Sequence, residues 1–153
     1  MRASVTVHID APPERVWDLI SDITRMGEYS PEVVEAEWLD GAEGPSVGAR
    51  YRGHVKRNER WPVLYWTTCE ITECQRGEVF EFAVVMGGRS VNVWRYEFRG
   101  TDDGGTAATE SFDLGDNILT KVWYPLGGFL RQRRNERDMR RTLERVKAVA
   151  EAP

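Results

Sequence analysis

Residues 79–114 read VFEFAVVMGGRSVNVWRYEFRGTDDGGTAATESFDL. Three runs rich in β-branched and aromatic residues, Val79–Met86, Val91–Arg99 and Thr106–Leu114, are separated only by Gly87-Gly88-Arg89 and Thr101-Asp102-Asp103-Gly104-Gly105. Links this short leave no room for the crossover that parallel neighbours need, so the runs predict consecutive antiparallel strands. The pattern continues upstream through Leu64–Glu73, Arg50–Arg57 and Val33–Leu39, divided by Gln75-Arg76-Gly77, Asn58-Glu59-Arg60 and a Gly/Pro-rich turn over 40–48. Before these, Val5-Thr6-Val7-His8-Ile9 alternates with period two and reads as a half-buried strand. Asp10-Ala11-Pro12-Pro13-Glu14 stops it and opens a helix, because proline is tolerated in a first turn whose N–H lacks a partner anyway. Val16, Trp17, Ile20 and Ile23 follow at helical spacing, and Asp22 is expected to cap a second short helix broken by Gly27 and ended before Pro31. At the other end Asn135, Met139, Thr142, Leu143, Val146, Val149 and Ala150 form a stripe at spacings of three and four, which predicts a long helix. Pro125 and Gly127-Gly128 mark either the bend of a shorter entry segment into it or a kink within one helix.

The order predicts one α+β domain over residues 1–153. It is a seven-stranded curved antiparallel sheet wrapped around a long C-terminal helix, with two short helices between strands 1 and 2. The apolar face of such a sheet must be covered, and two short helices cannot cover it, so the long helix lies across the concave side. A chain of 153 residues needs no metal or disulfide staple to fold. Cys69 and Cys74 fall at odd spacing in one strand, so they are expected on opposite faces as reduced thiols. No run reaches the roughly 18 apolar residues of a membrane helix and no apolar leader opens the chain, so cytoplasmic residence without membrane insertion is the expectation.

Net charge is −4, but residues 131–147 hold eight basic and three acidic residues, a local +5. Interspersed acids and the lack of aromatic partners there make this a solvated helix face rather than a nucleic-acid footprint. His8 and His54 are the only histidines, both are expected to point outward, and no metal is expected. Gly127-Gly128 lacks the strand and spacing of a dinucleotide loop, and no cofactor is expected.

Six tryptophans are many for one domain, and rings this large line a core, a cavity or an interface. Trp94, Tyr96 and Phe98 alternate with Arg95, Glu97 and Arg99, so they share the concave face as either plain core or an aromatic wall. Phe80 and Phe82 form another inward row, Tyr51 heads a third, and Phe112 belongs to the last strand. Glu110 is in phase with Ala108 and Phe112 and so faces inward. A carboxyl there has its charged form disfavoured, and it either moves a proton, anchors a ligand hydroxyl or is satisfied as an ordinary strand-end group. Glu32, placed by Ser30-Pro31, either joins Glu110 at the cavity or ends a turn. Tyr51 completes the candidate proton-moving set. Exposed Trp38 or Trp61 marks a homodimer face or covers the core.

Several of these segments together resemble a known superfamily. They are Ile9-Asp10-Ala11-Pro12 with Val16-Trp17-Asp18-Leu19-Ile20, Gly27-Glu28-Tyr29-Ser30-Pro31-Glu32, Val47-Gly48-Ala49-Arg50-Tyr51, Trp94-Arg95-Tyr96-Glu97-Phe98, and the Met139–Lys147 tail. From about Val5 to Glu151 the chain resembles the START-like, or Bet v 1-like (SRPBCC), superfamily, in its bacterial polyketide cyclase/dehydrase and lipid transport branch. The resemblance implies a helix-grip fold and a pocket mouth near the start of the last helix, where Trp123, Tyr124, Phe129 and Leu130 either gate or contact a ligand or pack against the two short helices as a hydrophobic staple. It implies binding or carriage of a small hydrophobic or aromatic molecule in an internal cavity. The alternative is a cyclase or aromatase acting on a polyketide-like metabolite by general acid/base catalysis. A protein-interaction domain using the basic helix is the third reading.

Overall fold

A computed structural model of the chain describes residues 1–57, 60–115 and 128–153. β1 (Arg2–Ile9) leads into α1 (Pro13–Ser21), a 3-10 turn (Ile23–Arg25) and α2 (Met26–Tyr29). Then come β2 (Val33–Trp38), β3 (Arg50–Arg57), β4 (Val63–Gln75), β5 (Val79–Met86), β6 (Arg89–Gly100), β7 (Thr106–Asp113) and α3 (Gly128–Ala150). The strands form one antiparallel sheet in the order β1-β7-β6-β5-β4-β3-β2. Every sequential pair from β2 to β7 is therefore a neighbour, as the short links require, and β1 closes on β7 with Val5 opposite Glu110. At the β5–β6 turn Gly87 and Gly88 both have positive φ, 58° and 75°, which the tight hairpin needs and only glycine adopts freely.

α3 has 23 residues, a span of about 35 Å. It lays Met139, Leu143, Val146 and Ala150, all buried, against the sheet at the β1 side. α1 begins at Pro13 with the Arg15 and Val16 amides donating to the Pro12 carbonyl. It buries Val16, Trp17 and Ile20, and the Trp17 indole N–H donates to the Val79 carbonyl at 2.8 Å. α1 thereby plugs one end of the sheet and leaves the other end to α2 and the first half of α3. No helix among the described residues is long and apolar enough to cross a membrane.

Two expectations change. Asp22 caps the 3-10 turn by accepting from the Thr24 amide, and Gly27 sits inside α2 instead of breaking a helix. A Cβ on Gly27 would stand 2.4 Å from the Val34 carbonyl oxygen, so glycine lets α2 approach β2. Gly27→Ala is expected to cost about 1–3 kcal/mol in a denaturant melt. Gly44→Ala, with nothing among the described residues near its Cβ, should leave the midpoint unchanged, and equal behaviour of the two variants would refute the packing argument.

The second change concerns the cysteines. A register shift between Ile71 and Glu73 adds a residue to β4, so Cys69 pairs opposite Val84 and Cys74 opposite Phe80. Both cysteines therefore pack towards the core, Cys69 buried and Cys74 partly so, as free thiols. The bulge inverts the odd-spacing rule.

Candidate functional site

Sheet and α3 stand apart over a cavity of about 440 Å³. Its walls follow from strand alternation. β3 gives Tyr51, Gly53, Val55 and Arg57; β6 gives Asn92, Trp94 and Tyr96; β7 gives Glu110 and Phe112. Phe82 and Cys69 complete the floor, and α3 supplies Leu130, Arg131, Arg134, Asn135, Asp138 and Met139 as a roof. Trp94 and Phe112 sit with ring centroids 4.7 Å apart, and Tyr51 meets Phe82 edge-on at 5.4 Å.

Eight of the sequence-predicted residues line this space: Glu110, Glu32, Tyr51, Trp94, Tyr96, Phe82, Phe112 and Leu130. Phe80 and Phe98 do not. They point inward as expected but lie further along β5 and β6, at the end that α1 packs against, so they are buried core and not wall. Trp123, Tyr124 and the Phe129 side chain lie outside the described residues. Trp38 packs on the core edge-on to Tyr51, whereas Trp61 is exposed.

Glu110 is 3% exposed. Its Oε1 accepts a hydrogen bond from the Tyr96 hydroxyl at 2.8 Å, and its Oε2 is buried with no partner among the described residues. Burial pushes the carboxyl up to about 8; the Tyr96 bond opposes this, while the charges of Glu32 and Asp138 add to it. Glu110 therefore holds its proton at neutral pH and has one oxygen left to offer a guest. Tyr96→Phe is expected to move this titration still higher, because the bond that favours the charged form is lost. Carbon-13 NMR of the labelled carboxyl reads this directly, and a downward move would show that the hydroxyl does not stabilise the carboxylate.

Tyr51, expected as a third proton carrier, is differently engaged. Its hydroxyl bonds to the Cys69 thiol, and burial pushes the phenol well above its ordinary range. The phenol next to the carboxyl is Tyr96, which the alternation had marked only as wall. Glu32 is half-buried and also shifted upward, first by burial and then by Asp138, against the pull of Arg134, Arg131 and Arg57. It reaches Glu110 through charge and not through a hydrogen bond.

The roof holds what the sequence pattern alone did not reveal. Arg134 lies 4.0 Å from Glu32 and 3.6 Å from Asp138, and Asp138 is buried. Arg131, Arg134 and Asp138 belong to the segment read as a solvated face, while Arg133, Arg137, Arg140 and Arg141 do stay at the surface. Counting back along the stripe, four residues from Asn135 and eight from Thr142, gives Arg131 and Arg134, a signal available in the sequence. Asn135 Nδ2 and Asn92 Oδ1 are, like Glu110 Oε2, buried without a partner among the described residues. The cavity thus combines aromatic walls with separate polar atoms, as ligand pockets do.

Residues 1–151 match the family described as polyketide cyclase / dehydrase and lipid transport. No curated protein matches at a significant level. Among solved structures, the di-domain ARO/CYC BexL from the BE-7585A biosynthetic pathway is similar at a TM-score of 0.70 and 21% identity, over 100% of this chain and 50% of that one. Protein CV1439 from Chromobacterium violaceum gives 0.69 and 14% over 100% and 99% of the two chains. TTHA0849 from Thermus thermophilus gives 0.63 and 21% over 98% and 99%. At these identities the likeness establishes a common helix-grip fold.

Proposed function

Because the chain belongs to the polyketide cyclase/dehydrase and lipid transport family, we propose that it encloses a small hydrophobic or aromatic molecule between its sheet and α3, oriented by Glu110. The cavity carries this reading, since about 440 Å³ falls in the range of small-molecule sites. Trp94 and Phe112 give the guest an aromatic wall, and the protonated Glu110 offers one O–H to a carbonyl or hydroxyl oxygen. A scaffold does not transmit chemistry, so the reaction has to be argued from this site.

The protonated, Tyr96-backed carboxyl favours a second reading, that of a cyclase. Glu110 would give its proton to a carbonyl oxygen of a folded poly-keto chain while an α-carbon of the same chain adds to that carbonyl carbon. The Glu32 carboxylate would take the α-proton, and the two groups would re-equilibrate through solvent. Tyr96, still donating, would stabilise the new Glu110 carboxylate.

Native mass spectrometry of the purified protein separates the readings. Carriage predicts a bound small molecule released unchanged. Cyclisation followed by dehydration predicts a poly-keto guest returned short of one water, with no such product from Glu110→Gln. A protein that takes up no neutral aromatic molecule at 1:1 stoichiometry contradicts both.

A further inference from the structure

The inward rows of β3 and α3 converge at the open end of the cavity, and each ends in an arginine. On β3 the row is Tyr51, Gly53, Val55, Arg57; on α3 it is Met139, Asn135, Arg131. Arg57 is held over the Tyr65 ring, its guanidinium carbon 5.7 Å from the ring centroid. Lys56 and Arg134 line the same space. Among the described residues the wall carries these four cations against Glu32, Asp138 and a Glu110 that is protonated at neutral pH. Ionised groups therefore stand four to two in favour of positive charge, inside a site whose remaining walls are largely aromatic and aliphatic.

Resting on the cavity reading above, we propose that this mouth binds an oxyanion carried by the guest, so that the ligand class is an aromatic acid. Its rings lie on Trp94 and Phe112, and its anion lies between Arg57 and Arg131. Arg131 and Asp138 are seven positions apart on α3, which puts the anion about 10 Å from the level where Asp138 acts on Glu110. The guest is thus anchored at both ends, by charge at the mouth and by a neutral hydrogen bond at the floor. Arg131 is half-buried, and both burial and Arg57 oppose its charge while Glu32 and Tyr65 favour it. An anion seated there relieves that opposition.

The test is a matched pair of fluorescent probes, neutral N-phenyl-1-naphthylamine and the same skeleton bearing a sulfonate, 1-anilinonaphthalene-8-sulfonate. The parent protein is expected to bind both, the sulfonate about tenfold more tightly at low salt. Arg131→Gln and Arg57→Gln are each expected to reduce that preference, lowering sulfonate affinity severalfold more than they change neutral-probe affinity, and a far-ultraviolet circular dichroism spectrum matching the parent's reports that the variants fold. If the neutral probe binds and the sulfonate gains nothing, the anion seat is wrong and the cavity reading stands. A preference that survives both substitutions likewise overturns the seat. If neither probe binds, the cavity reading falls and this inference with it.

Discussion

At pH 9 the Glu110→Gln protein is expected to be about 4 kcal/mol more stable than the parent, and near pH 4.5 the two should agree within about 1 kcal/mol. The buried carboxyl titrates at about 8 in the folded protein, against the model-peptide value of 4.5 that an unfolded chain shows. Between those values the folded state binds the extra proton, so stability falls as pH rises from about 4.5 to 8 and levels off beyond. Glutamine has nothing to ionise, and its carbonyl can still accept from Tyr96. The variant's profile should therefore lack this decline. Guanidinium melts at pH 4.5, 7 and 9, followed by tryptophan fluorescence, measure the difference. A variant less stable than the parent at pH 9 would mean that Glu110 is ionised and paired, and its role as proton holder would fail.

Gly53→Phe is expected to reduce uptake of N-phenyl-1-naphthylamine by at least about a hundredfold while the protein stays folded. Gly53 sits in the middle of β3 on the cavity wall, outside the positive-φ positions, and among the described residues a Cβ there meets nothing closer than Thr67 Oγ1 at 3.7 Å. A phenyl ring has one place to go, which is into the space a guest would use. Filling a void with apolar atoms tends to stabilise, so loss of binding would come with an unchanged or raised melting point. Unchanged affinity would place the probe somewhere other than this cavity.

The strands and long helix were legible because period-two and period-3.6 patterns run uninterrupted in Trp94-Arg95-Tyr96-Glu97-Phe98 and in Met139 to Ala150. Glu110 was legible as an inward carboxyl for the same reason. Alternation fixes the face of a residue but not its height along the strand. Phe80 and Phe98 were therefore grouped with Phe82 and Trp94, although α1 closes their end of the sheet. Nor does alternation survive a bulge, which is why Cys74 changed sides. The choice of Tyr96 over Tyr51 as the partner of Glu110 depends on β6–β7 register, with Tyr96 directly opposite Glu110. Register between separate strands is set by the turns and the core together and is not visible in either strand alone. The arginines of the mouth were obscured by their neighbours, since Arg131 and Arg134 lie in a run whose other arginines, Arg133, Arg137, Arg140 and Arg141, face water.

The whole reading depends on a space between sheet and helix that a guest can occupy. A crystal structure of the protein grown with N-phenyl-1-naphthylamine examines that space. Ring density bounded by Trp94, Phe112 and Met139, with the probe's N–H or ring edge towards Glu110, is predicted. Side chains of α3 interlocked with those of β6 and β7, and probe density absent or confined to the surface, would contradict it.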